Sequence, residues 1–210
     1  MKYKLWTSSP FQEEMANCCY VEYKCVGKRE QMKELLEALH LMMDREMPVE
    51  NKWGKTWMGW LVSAFYGDAD AYTLRGRILD FKYDKEVLTV IQETDWEEQR
   101  DMRVFLKEQL PEVDIYYMEE EPGGEVFSTN DVEGRFFPYR YMLEGNDDSR
   151  HFCSIEEAAQ IVADIVGHEV AAAKEEIDDA LDEFMEEHED EFFSFHHFDI
   201  GDTSLLRGAR

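Results

Sequence analysis

Positive charge is what this chain has least of. Its 210 residues carry 22 Lys and Arg against 48 Asp and Glu, a formal net charge of −26. Phosphate contacts need basic side chains in excess, so direct binding of nucleic acid or of an anionic membrane surface is not expected. Long apolar runs are lacking too, and no stretch approaches the roughly 18–20 apolar residues of a membrane span. Met1 to Pro10 has neither the apolar core nor the small-residue cleavage site of a secretory leader. Cysteine is sparse, at positions 18, 19, 25 and 153, with no C-x-x-C pair and no disulfide framework. The expectation is four reduced thiols, no structural zinc, and a cytoplasmic protein. Catalytic signatures are missing as well: there is no G-x-S-x-G, H-E-x-x-H, P-loop or G-x-G-x-x-G. No nucleophile has a partner base, so the reading is a protein that is not an enzyme and holds no cofactor.

What is present is the composition of a globular chain, 44% hydrophobic and 13% aromatic. Asn17 to Val26 is aromatic and β-branched with partial alternation and stops at Gly27, the pattern of a strand. Met32, Leu35, Leu36, Leu39 and Met42 recur at helical spacing between Arg29 and Asp44. Residues 72–83 and 87–94 read as two further strands around the turn at Tyr83-Asp84-Lys85. Trp96 to Leu110 reads as a helix capped by Thr94 or Asp95 and stopped by Pro111, and Val113 to Met118 as a fourth strand. The order β-α-β-β-α-β predicts an α+β, ferredoxin-like domain with both helices on one sheet face. Short strands near 125–128 and 135–143 extend it, and Asn146 to Ser149 marks a loop. The expected division is a ferredoxin-like domain with β extension over 1–145 and an acidic helical segment over 146–210.

Asn51-Lys-Trp-Gly-Lys-Thr-Trp57, Met15-Ala16-Asn17, Glu93-Thr94-Asp95-Trp96, Pro111 and the Tyr116-Tyr117…Glu121-Pro122-Gly123 end carry a resemblance. Over residues 15 to 130 or so the chain resembles the YubB-like ferredoxin-fold family of plasmid and phage proteins. The resemblance implies a ferredoxin-like fold and a mobile-element setting, and no activity. Met58 to Ala71 is an insertion relative to the family pattern, and Glu97-Glu98 stand where that pattern has prolines.

Several residue groups invite a chemical reading. Trp53, Trp57 and Trp60 would share one face of a helix, as a core cap or as a partner hot spot, and the core reading is preferred. Glu119, Glu120 and Glu121 with Asp131 and Glu133 have the oxygen chemistry of a divalent-cation site, which would make a metal-dependent hydrolase the third functional reading. The preferred reading is a solvated strand end, and no metal site is assigned. His196-His197 with Asp199 and Asp202 is the only imidazole–carboxylate cluster, and adjacent histidines point apart.

The distribution of acid is the strongest signal. Residues 1–105 have a net charge of −4 and residues 106–210 one of −22, with 11 of the 18 residues from Lys174 to Glu191 acidic. A helix from about Glu169 to Glu191, following a first helix begun by the Ser154-Ile-Glu-Glu157 capping box, would set seven like-charge pairs four residues apart. Each such pair costs about 0.2–0.5 kcal/mol. Its narrow apolar stripe is Val170, Ala173, Ile177, Leu181 and Phe184. The contact face would be Glu175, Glu176, Asp178, Asp179, Asp182, Glu183, Glu186 and Glu187. The leading reading is a non-enzymatic phage or plasmid binding protein that mimics nucleic acid to engage a basic, nucleic-acid-binding host protein. The runner-up is a structural or assembly protein, an oligomer whose acidity serves solubility.

Overall fold

The computed structural model describes residues 18–44, 53–146 and 148–207. Readings at Met15, Ala16, Asn17, Asn51, Lys52 and Asp147 lie outside the described residues. In chain order the elements are β1 (Cys18–Gly27), α1 (Arg29–Met43), α2 (Gly59–Ala64), β2 (Gly76–Asp84), β3 (Val87–Asp95), α3 (Arg100–Gln109), β4 (Val113–Glu121), β5 (Val126–Thr129), β6 (Tyr141–Gly145), β7 (Ser149–Phe152), α4 (Ile155–Val166), α5 (Lys174–Glu187), β8 (Phe193–His197) and β9 (Asp199–Ile200). The chain forms two compact units, one of Ala16–Val132 with Ile200–Arg210, the other containing Glu133–Asp199. No helix among the described residues is long and apolar enough to cross a membrane.

The expectation of a single ferredoxin-like βαββαβ domain with a β extension is corrected by the strand layout. The first sheet has six strands in the order β2-β3-β1-β4-β5-β9, and β7-β6-β8 form a separate three-stranded sheet. A local turn accounts for β5 and a long-range pairing for β8. Glu121 accepts from the backbone N–H of Gly124 and turns the chain through Pro122–Gly124, so that β5 folds back antiparallel on the end of β4. The aromatic tail, which has no helical period, pairs instead with a distant strand: Phe195 is buried opposite Leu143, so the tail becomes β8 against β6.

In the first unit every second residue of β1, Cys19, Val21, Tyr23 and Cys25, is buried in one core with Met32, Leu35, Leu39 and Met42 of α1 and Met102, Phe105 and Leu106 of α3. Burying each large apolar side chain contributes about 1.5–3 kcal/mol. The helix expected from Trp96 begins only at Arg100. Trp96 is left-handed, with φ of 72°, between a bond from Asp95 N to Arg75 O (2.9 Å) and one from Glu98 N to Glu119 Oε2 (2.6 Å), so those four residues cannot join the helix. The tryptophans do not lie on one helix. Gly54–Thr56 is a 3₁₀ turn, Trp57 precedes α2, and Trp57 and Trp60 meet edge to face at 5.5 Å. Trp57 Nε1 donates to Leu74 O at 3.0 Å, and its ring lies against Gly59, where any Cβ would collide.

In the second unit the inner face of the three-stranded sheet, Leu143, Phe152 and Phe195, packs on Ala158, Ala159 and Val162 of α4 and Ile177, Ala180 and Leu181 of α5. Ser154 caps α4 by accepting from Glu157 N at 3.3 Å, and Gly167, with φ of 81°, ends it in the left-handed conformation.

Candidate functional site

α5 is shorter than the sequence suggests. It starts at Lys174, which places Glu175 and Glu176 in the first turn where the helix dipole favours negative charge. It ends at Glu187, because acid in the last turn opposes that dipole and no basic residue stands there. Val170 and Ala173 therefore lie before the helix. Of the seven like-charge pairs, Glu186–Asp190 and Glu187–Glu191 fall beyond it, and five remain.

The period of 3.6 residues sorts the acids around the helix. Ile177, Leu181 and the half-buried Phe184 define the inward side. Glu175, Asp179, Asp182 and Glu186 point directly away from it, and Glu176, Glu183 and Glu187 flank that line. All seven are exposed, whereas Asp178 is half-buried. The helix's single base is turned aside: Lys174 Nζ binds Asp178 Oδ2 at 2.6 Å and Phe195 O at 3.2 Å. Fourteen residues span about 21 Å at ~1.5 Å each. Eight acids and one Lys then give one net negative charge per ~3 Å, beside ~1.7 Å for duplex DNA. Such a surface can attract a basic groove.

The other carboxylates are dispersed. Glu119 is buried in the first unit: Oε1 accepts from Ser128 Oγ at 2.5 Å, Oε2 from Glu98 N, and Cys19 Sγ lies 3.7 Å away. Glu120 points to the opposite sheet face by strand alternation, and Glu121 caps the Gly124 turn. Asp131 is buried and Glu133 belongs to the second unit. Among the described residues no group of three or more His, Cys, Asp or Glu side chains is placed to hold a metal. His196 is buried, with Nε2 3.6 Å from Glu144 Oε2, and His197 turns outward, with Nδ1 3.3 Å from Asp199 Oδ1. Asp202 lies in the first unit and accepts from Arg100 Nε at 2.7 Å. Its hydrogen bonds to Ser204, then Arg100, hold its carboxyl down at about 2.

A buried polar network in the first unit has no signature in the sequence. Arg103, only 2% exposed, grips Glu98 with Nε at 3.0 and 3.1 Å and Nη2 at 2.5 Å. Its guanidinium lies 4.6 Å over the Tyr117 ring, and Tyr23 Oη reaches Glu98 Oε2 at 3.4 Å. Burial opposes the charge on Arg103, and the bonds to Glu98 outweigh it and hold the guanidinium firmly protonated. Arg103, Glu98, Tyr23 and Tyr117 thus close on one another. The only hint in the sequence is the five-residue spacing of Glu98 and Arg103, which is unremarkable alone.

Burial raises the Glu119 carboxyl above the ordinary range against the hydrogen bonds from Ser128 and Glu98 N. A carboxyl raised on folding binds its proton more tightly in the native state, so stability falls as pH climbs from the ordinary carboxylate range through the raised value. Glu119→Gln is therefore expected to be more stable than the parent at neutral pH, with the gap closing as pH falls into the ordinary carboxylate range, where Glu119 is protonated in the native state. Urea titrations across that range measure it; an equal gap at all pH values would contradict the assignment.

The four cysteines are free thiols. Burial raises Cys18 to about 11 and Cys25 to about 12, and pushes Cys19, beside Glu119, higher still, while Cys153 is exposed. A thiol reagent at mildly alkaline pH is expected to modify Cys153 first, the half-buried Cys18 slowly, and Cys19 and Cys25 only on unfolding. A total of two or fewer in denatured, unreduced protein would contradict this.

No protein-family model, curated protein or solved structure matches this chain.

Proposed function

We propose that the chain is a binding protein that offers the outward acids of α5 to a basic, nucleic-acid-binding protein and competes there with nucleic acid. The observation that carries this reading is the line Glu175, Asp179, Asp182 and Glu186, exposed, free of basic residues, and backed by a helix seated on a packed core through Ile177, Ala180 and Leu181. A fixed row of charge is worth more to a partner than a mobile one, because its ordering cost is met on folding. The surrounding unit adds to the field: Glu133–Asp199 carries twenty acidic and four basic residues. Clefts that bind nucleic acid are basic and would steer such a surface toward themselves. The resemblance of residues 15 to 130 to plasmid and phage proteins directs the search toward bacterial host proteins.

The test is affinity capture from a nuclease-treated bacterial lysate on the immobilised full chain. The expected product is a basic protein that elutes as salt shortens the screening length from about 8 Å toward 3 Å. Recovery of only neutral or acidic proteins, or retention insensitive to salt, would overturn the reading.

A further inference from the structure

The first sheet has an open edge at β2, and its residues are arranged to meet their own image. The β2–β3 hairpin closes through Lys85 and Glu86, both left-handed at φ of 48° and 68°, with Asp84 opposite Val87. In a two-residue hairpin the closing pair is hydrogen-bonded. Alternation then directs the backbone groups of Asp84, Lys82 and Asp80 toward their β3 partners Val87, Thr89 and Ile91. The N–H and C=O of Tyr83 and Phe81 are left facing outward. The beginning of β2 is already covered, by the Trp57–Arg77 bridge and by Met58 N donating to Gly76 O at 3.2 Å. A register shift between Ile78 and Asp80 separates that covered part from the open one. Among the described residues nothing pairs with the outward backbone groups of Phe81 and Tyr83.

We propose that this edge joins two copies of the chain, β2 against β2 antiparallel, about a two-fold axis through Phe81. In that register Phe81 faces its own copy in a hydrogen-bonded pair, the geometry its outward N–H and C=O require. Asp80 faces the second copy's Lys82 in the closer, non-hydrogen-bonded pair, and the symmetry makes this ion pair twice. Both side chains are exposed and neither forms an ion pair among the described residues. Lysine on an edge normally discourages pairing; here the register sets it beside the partner's aspartate. A two-fold axis at Lys82 would oppose lysine to lysine and aspartate to aspartate. On the helix side Phe81 is steadied by His40, whose ring meets it edge to face at 5.0 Å. The register shift ends the match beyond Leu79 and keeps the pairing from spreading along the strand. Nothing in this contact uses α5.

The experiment is sedimentation of the full chain from about 1 to 300 µM at ~0.15 M salt, which screens the repulsion between two acidic copies. A reversible monomer–dimer equilibrium is expected. Lys82→Asp or Asp80→Lys should each weaken it roughly tenfold or more, and D80K/K82D, which restores opposite charges across the axis, should return it to within about threefold of the parent. Circular dichroism checks that each variant folds. Hydrogen exchange at the Phe81 and Tyr83 amides should slow as concentration rises. A monomer throughout that range, a dimer indifferent to either single reversal, or a double reversal that fails to restore it would overturn the proposal.

Discussion

Arg103→Met is expected to cost the first unit about 3–5 kcal/mol. Among the described residues the guanidinium is the only buried cation in contact with Glu98, and it also donates to Asp202 O at 3.4 Å and covers the Tyr117 ring. Removing it strands a carboxylate, 8% exposed, with Tyr23 Oη as its remaining side-chain donor and with Glu119 nearby. Arg103→Lys keeps the charge and loses the fork, so it should recover only part of the loss. Replacing both partners, R103M with E98L, removes the stranded charge and should return most of the stability, since an apolar pair of similar volume does not require the desolvation of two ions. Urea unfolding of the four proteins measures the cycle. A loss below about 1 kcal/mol for Arg103→Met would mean that water screens the pair and that the network is not a buried one.

The second large effect is on binding. Replacing Asp178, Asp179, Asp182, Glu183, Glu186 and Glu187 together by Asn or Gln touches all five like-charge pairs on α5. Relief of repulsion, about 0.2–0.5 kcal/mol per pair before screening, exceeds the loss of the exposed Lys174–Asp178 contact. The variant should therefore unfold at an equal or slightly higher temperature than the parent. Its affinity for a captured basic partner should nevertheless fall by about a hundredfold or more, because each lost carboxylate leaves a cation in the partner's cleft unpaired. Stability and binding thus move in opposite directions, which separates loss of a surface from loss of a fold.

Local pattern made much of the secondary structure legible and did not make the assembly legible. Alternation around Val21 and Tyr23, and the helical spacing of Met32, Leu35 and Leu39, locate β1 and α1 closely because burial on one face sets both periods. The capping box at Ser154 and the stop at Gly167 locate α4 for the same kind of reason. The failures arise where long-range pairing decides. Phe193 to His197 reads as a tail, and becomes a strand only because β6, fifty residues earlier in sequence, offers an edge to it. β9 is two residues long, too short for any periodic signal, yet it adds the sixth strand. On α5 the eight acids were legible as residues, and the helix bounds were not, since only cap geometry fixes where Lys174 begins and Glu187 ends the turn pattern. The Glu98–Arg103–Tyr117 network was invisible because its members come from a loop, a helix and a strand that meet only in the folded core.

The measurement that bears most directly on nucleic-acid mimicry is competition. The basic partner recovered by capture is titrated with labelled duplex DNA or RNA, whichever it binds, in the presence of rising concentrations of the full chain. The chain should displace the nucleic acid completely, the apparent affinity of the competition should weaken steeply with salt, and the six-substituted chain should leave the nucleic acid bound. A ternary complex holding the partner, the nucleic acid and the chain together, or displacement by the six-substituted chain as effective as by the parent, would contradict it.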